Sequence, residues 1–116
     1  MIKKTKIIDY FQANISELSE DAKELVFEAQ RAIKTAYSPY SEFSVGSALL
    51  LDNGLFIKGS NQENAAYPSG LCGERVALFA WGANNSENKV VAIAISAQNK
   101  EGEFALAYPC GACLQV

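Results

Sequence analysis

Apolar residues recur at three- and four-residue spacing in the first well-patterned stretch of the chain: Ala22, Leu25, Val26, Ala29, Ile33 and Ala36. That period marks one buried face of a helix. Ser19 precedes it as an N-cap, and Glu20 and Asp21 fall in the first turn, facing the positive end of the dipole. Pro39 disfavours helix at Ser38 and predicts a stop nearby. Residues 43–51 are rich in Val, Leu and Ala and predict a strand. Asp52-Asn53-Gly54 is a turn signal, and residues 55–59 return as the second strand of a hairpin. Residues 61–71 are polar, carry Pro68 and Gly70, and read as a loop. A helix is predicted from Cys72 to about Trp81, ending near Gly82. Residues 90–96 form an unbroken apolar run, predicted to be a strand buried on both faces. Residues 98–107 resemble a hairpin insert, and Pro109 stands where a further helix begins. Residues 1–18 are mixed, with Ile7, Ile8, Tyr10 and Phe11 as an apolar patch, and predict no definite element. The order of elements predicts an α/β layered domain, with helices packed on a sheet.

Composition narrows the class. The chain has 116 residues, of which 49% are apolar and 20% charged, enough for one small domain with its own core. Disordered and low-complexity classes are excluded. A net charge of −3 gives little electrostatic grip on long nucleic acid, so no nucleic-acid partner is expected. No apolar run approaches the roughly 20 residues of a membrane span, and no membrane partner is expected. The lysines at the start, Lys3, Lys4 and Lys6, are not followed by the apolar stretch of a secretory signal. The expectation is a soluble, cytoplasmic protein.

The chain has three cysteines and no histidine. An odd cysteine count in such a chain does not make a disulfide scaffold. Without histidine, acid–base chemistry falls to a carboxylate, Lys, Tyr or Cys, and a bound metal must take S or O ligands. Cys72-Gly73-Glu74 is followed by Pro109-Cys110-Gly111-Ala112-Cys113. Cys110 and Cys113 share one helical face, and both Cys72 and the later pair fall at predicted helix N-termini, where thiolate is favoured over thiol. Alone, each cysteine would read as a small buried hydrophobe. Together, three thiolates without a fourth protein ligand are the arrangement of a catalytic zinc that keeps one position for water. Glu74 can reach that water without being a ligand. A divalent ion on three thiolates carries one net negative charge, and Arg75 and the two helix N-termini are the available offsets. A redox dithiol at Cys110 and Cys113 would leave Cys72 and Glu74 without a role.

Two further segments carry a resemblance: Ser38-Pro39-Tyr40-Ser41-Glu42-Phe43-Ser44-Val45-Gly46 and Gly59-Ser60-Asn61-Gln62-Glu63-Asn64-Ala65-Ala66-Tyr67. With the two cysteine motifs they make residues 22–116 similar to the small homotetrameric, zinc-dependent cytidine deaminases. The resemblance implies an α-β-α layered fold, with a central mixed sheet and helices on both faces. It implies hydrolytic conversion of cytidine and 2′-deoxycytidine to the uridine nucleosides with release of ammonia. It makes Cys72, Cys110 and Cys113 the ligands of Zn2+, and Glu74 the proton shuttle. Phe43 would lie against the pyrimidine face. Asn61 and Glu63 would hydrogen-bond ribose hydroxyls, and Ala65 and Tyr67 match positions near a neighbouring subunit's site. A zinc domain over residues 19–116 and an N-terminal extension over 1–18 are expected, acting on a small pyrimidine nucleoside as a homo-oligomer, a tetramer in the full-length form.

The sequence departs from the resembling pattern at three places. Gly73 stands where Ala is usual, and Leu114 where the family has Arg. The family also continues beyond Cys113 through a longer helix and two more strands. The expectation is therefore a C-terminally incomplete chain, weakly active or inactive alone and prone to associate through an open strand edge. Leu114 and the short end also leave room for a catalytically silent, zinc-stabilised interaction module.

Overall fold

The computed structural model describes residues 1–5 and 9–116. Of the N-terminal apolar patch, Ile7 and Ile8 lie outside the described residues, while Tyr10 and Phe11 are exposed. Helix α1 spans Glu20–Ala32, and the Ser19 hydroxyl accepts the Ala22 N–H at 3.2 Å, the predicted cap. The helix tightens into a 3-10 turn at Ile33–Thr35, so Ile33 stays buried while Ala36 leaves the helical face.

Strands β1 (Ser44–Leu51) and β2 (Phe56–Ser60) form the predicted hairpin, with Gly54 at φ +86° in the turn and its N–H on the Leu51 carbonyl at 3.0 Å. Only glycine takes that left-handed conformation without strain. Helix α2 runs Gly73–Asn84, two residues beyond the predicted end at Gly82. The helix end is fixed by Trp81, whose indole N–H donates to the Asn88 carbonyl at 2.8 Å, so the glycine is carried through. Strand β3 (Val90–Gln98) meets a short β4 (Phe104–Ala105) across the predicted hairpin insert, and α3 spans Gly111–Gln115.

The sheet order is β2-β1-β3-β4, and every pairing among these four strands is antiparallel, where a mixed sheet was implied; a single parallel bridge, Tyr37 with Gln62, lies outside them. The reason lies in the crossover. β2 and β3 run in the same direction, joined through α2, but β1 lies between them and opposes both. Successive β1 residues face opposite layers. Ala48 packs with Leu25 and Ala29 of α1, while Leu49 and Leu51 pack with Ala77 of α2. The two helices therefore cover opposite faces, and the layered α/β class holds. The expected two-sided burial of residues 90–96 does not. Val91 and Ile93 are 63% and 45% exposed, because α2 lies over β1 and β2 and leaves that face of β3 uncovered.

Candidate active site

The first turns of α2 and α3 bring three cysteines together. Cys72 is the N-cap residue of α2 and Cys110 that of α3, as the sequence predicts, and Cys113 follows within α3. The Cys72 and Cys110 sulfurs are 3.4 Å apart, those of Cys110 and Cys113 are 3.5 Å apart, and all three lie within 4.8 Å of one another. A tetrahedral zinc with bonds near 2.3 Å holds its sulfurs about 3.8 Å apart, so this cluster fits a single ion. Among the described residues no further Cys, Asp or Glu joins the group, which leaves one coordination position open.

The thiols differ in acidity. Cys110, exposed, is lowered to about 7, first by the backbone N–H of Cys113 and then by the neighbouring thiols. Burial pushes Cys113 up to about 12, with the Cys72 and Cys110 thiols and the Glu74 charge adding to it. Crowded like charges oppose full deprotonation, and a divalent cation is the group that removes that conflict. Arg75 supplies part of the offset. Its Nη2 donates to the Cys72 sulfur at 3.6 Å, and this bond to Cys72 is the main reason its own pKa is raised. Leu114 is exposed and adds no charge.

Glu74 lies in the first turn of α2 and is only 5% exposed. It faces a cleft of about 950 Å³ together with Cys72, Arg75 and Cys110. That volume is in the range of small-molecule sites. Phe43, half-buried, forms part of one wall, with Asn61 and Glu63 beside it. Ala65 and Tyr67 sit on the rim, where Tyr67 is 90% exposed. Cys113 is buried behind the wall that Cys110 and Ala112 present.

The two polar residues assigned to the sugar also hold the site together. Asn61, 8% exposed, accepts the Val45 N–H on Oδ1 at 2.9 Å and donates from Nδ2 to the Phe43 carbonyl at 2.9 Å. One Nδ2 hydrogen remains for another partner. Glu63 accepts the backbone N–H groups of Tyr40 and Ser41 at 3.0 and 3.1 Å, and the Ser41 hydroxyl as well. Burial raises the Glu63 carboxyl, but these three donors outweigh it and hold the carboxyl below its usual value. Sequence reasoning assigned no role to Ser41, nor to Leu106 and Tyr108, which line the cleft opposite. Ser41 stands inside the segment from Ser38 to Gly46, but nothing in its spacing signals a hydrogen bond to Glu63, 22 residues away.

A three-sulfur cation site, an open coordination position and a buried carboxylate at the floor of a small-molecule cleft define a metal-dependent hydrolase of the zinc-thiolate type. The particular family follows from comparison with known proteins. The profile of the cytidine and deoxycytidylate deaminase zinc-binding region matches residues 19–116, and the chain belongs to that family. It is 46% identical over 96 residues to a cytidine deaminase of Halalkalibacterium halodurans, a match covering 83% of this chain and 69% of the relative. A cytidine deaminase of Sporosarcina psychrophila is 41% identical, with 83% and 67% covered. The crystal structure of cytidine deaminase from Mycobacterium tuberculosis superposes with a TM-score of 0.71 at 34% identity, covering 84% of this chain and 75% of that one. The fold and the zinc-binding character of the domain are those of this family.

Proposed function

We propose that the chain converts cytidine and 2′-deoxycytidine to uridine and 2′-deoxyuridine by hydrolysis, releasing ammonia. The observation that carries this reading is the buried Glu74 carboxylate beside the Cys72, Cys110 and Cys113 sulfurs, at the floor of a cleft sized for a nucleoside. The three cysteines would hold zinc. Bound there, zinc supplies a Lewis acid that lowers the pKa of a water at its remaining position to near neutrality. Glu74 would accept one proton from the attacking water and pass it to N3 of the base, then take the second proton from the hydroxyl that the water leaves on C4 and give it to the departing amine. Its burial in the first turn of α2 holds the carboxylate in place at the floor of the cleft. Arg75 steadies Cys72 and offsets the thiolate charge. Phe43 offers an aromatic face to the pyrimidine. The free Nδ2 hydrogen of Asn61 and the carboxylate of Glu63 suit a pair of ribose hydroxyls.

The Glu63 charge repels a phosphate, which favours free nucleosides over nucleotides or strands. Among the described residues no helix is long and apolar enough to cross a membrane. On this reading the zinc domain is residues 19–116 with residues 1–18 as an extension, and the protein is a cytoplasmic homo-oligomer, tetrameric in its full-length form. Exposed Ala65 and Tyr67 would stand near a neighbouring subunit's site. Ammonia release from cytidine, measured alongside bound zinc, tests the activity. Zinc without ammonia release would identify a silent, metal-stabilised module, and efficient deamination of cytosine in single-stranded DNA would contradict the free-nucleoside assignment.

A further inference from the structure

The Ser41 hydroxyl links the loop that carries Phe43 to Glu63. The Phe43 N–H donates to Ser41 Oγ at 3.1 Å, and that hydroxyl donates its single proton to Glu63 Oε2. The other carboxylate oxygen, Oε1, accepts the N–H groups of Tyr40 and Ser41. Three donors on two oxygens fix the rotation of the Glu63 carboxylate about its long side chain. Between Ser41 and Phe43, Glu42 stands at φ +55°, the only non-glycine residue with positive φ among the described residues. Such a conformation persists only where its surroundings hold it, and the bonds of Ser41 and Glu63 do so together with the Glu42 N–H, which donates to the Ser38 carbonyl at 3.0 Å. Phe43 and Glu63, 20 positions apart in sequence, are thus two ends of one hydrogen-bonded chain through Ser41 Oγ, and all three residues line the cleft.

We propose that Ser41 is a positioning residue, whose hydroxyl sets the Glu63 carboxylate for the ribose hydroxyls of the bound nucleoside. The inference rests on the nucleoside reading of the cleft. A side chain that merely stiffened the loop would affect every ligand alike. A hydroxyl that orients Glu63 affects only ligands with hydroxyls for Glu63 to meet.

The test uses the zinc-loaded protein and two non-reacting nucleosides, uridine and 2′,3′-dideoxyuridine, with dissociation constants from calorimetry and thermal midpoints recorded for each variant. Ser41→Ala is expected to weaken uridine about tenfold, the scale of losing one hydrogen bond to a charged group. It should change dideoxyuridine by less than about twofold, and Ser41→Thr, which keeps the hydroxyl, should restore uridine to within about threefold. The double variant Ser41→Ala/Glu63→Gln should bind uridine no more weakly than Glu63→Gln alone, since residues acting through one another are not additive. Equal weakening of both ligands, or no weakening of uridine, overturns the proposal while leaving the nucleoside reading intact. No uridine binding by the unmodified protein overturns that reading, and this inference with it.

Discussion

Gly59 lies so close beneath α2 that a β-carbon built on it would stand 2.4 Å from the backbone nitrogen of Ala77. The same atom would lie 2.7 Å from the Gly73 carbonyl, so the missing side chain is what lets the first turn of α2 rest on β2. Backbone cannot yield as a flexible side chain can. Gly59→Ala is expected to destabilise the fold by about 1–3 kcal/mol, read as a lower urea midpoint, and to lower zinc retention by displacing the turn that begins at Cys72. The contrasting position is Gly82, where an added β-carbon would meet nothing within 4 Å. There Gly→Ala should stabilise by up to about 1 kcal/mol through helix propensity. Equal effects at the two sites would refute this account of the packing.

One zinc per chain is expected, held through Cys72, Cys110 and Cys113. Cys110→Ser should release most of the metal and lower the thermal midpoint, because each sulfur contributes to a site whose binding energy is also folding energy. Metal analysis beside calorimetry checks it; full zinc content with an unchanged midpoint is the contrary result.

Glu74→Gln keeps the shape of the side chain and removes its capacity to carry a proton. Zinc content should stay near one per chain while turnover of cytidine falls about 10²–10⁴-fold, the usual contribution of a general acid–base group. Turnover within a few-fold of the unmodified protein would remove Glu74 from the chemistry.

The Glu63 carboxyl is held below its ordinary value, since the Ser41 hydroxyl and the Tyr40 and Ser41 N–H groups outweigh the effect of burial. A carboxyl depressed on folding contributes stability that is fully present above its unfolded pKa and is lost as pH falls through the folded one. The clasp on the 40–43 loop should therefore stay closed through the neutral range and loosen only on acidification below the usual carboxylate range. Carbon-detected NMR titration of Glu63 should show its midpoint rise in Ser41→Ala. An unmoved midpoint would mean that the hydroxyl does not contact the carboxylate in solution.

Much of this molecule is legible in its sequence. Ser19 caps α1 because its hydroxyl and the acidic first turn act locally, and Asp52-Asn53-Gly54 turns the hairpin for reasons contained in those three residues. The cysteine cluster is legible because ligand chemistry restricts residue type and spacing. What escapes such reading is set by distant neighbours. Whether Val91 and Ile93 are covered depends on where α2 lies, not on their own apolar character. The antiparallel pairings depend on β1 lying between β2 and β3. The Asn61 clamp on Phe43 and Val45 joins residues 18 and 16 positions apart, and no local pattern records it.

The cluster also joins distant parts of the chain. Cys72 and Cys110 are separated by 38 positions, and the tie between their sulfurs spans α2, β3 and β4. Closing a flexible loop of that length carries an entropic penalty that grows only slowly with length, and the ordered α2, β3 and β4 within it leave less freedom for the closure to remove. An ion held by the three sulfurs would link α2 to α3 across the segment between them. A chelator added during refolding should leave the α1 and sheet signals to develop at their normal rate while those of Cys110 and Cys113 fail to appear.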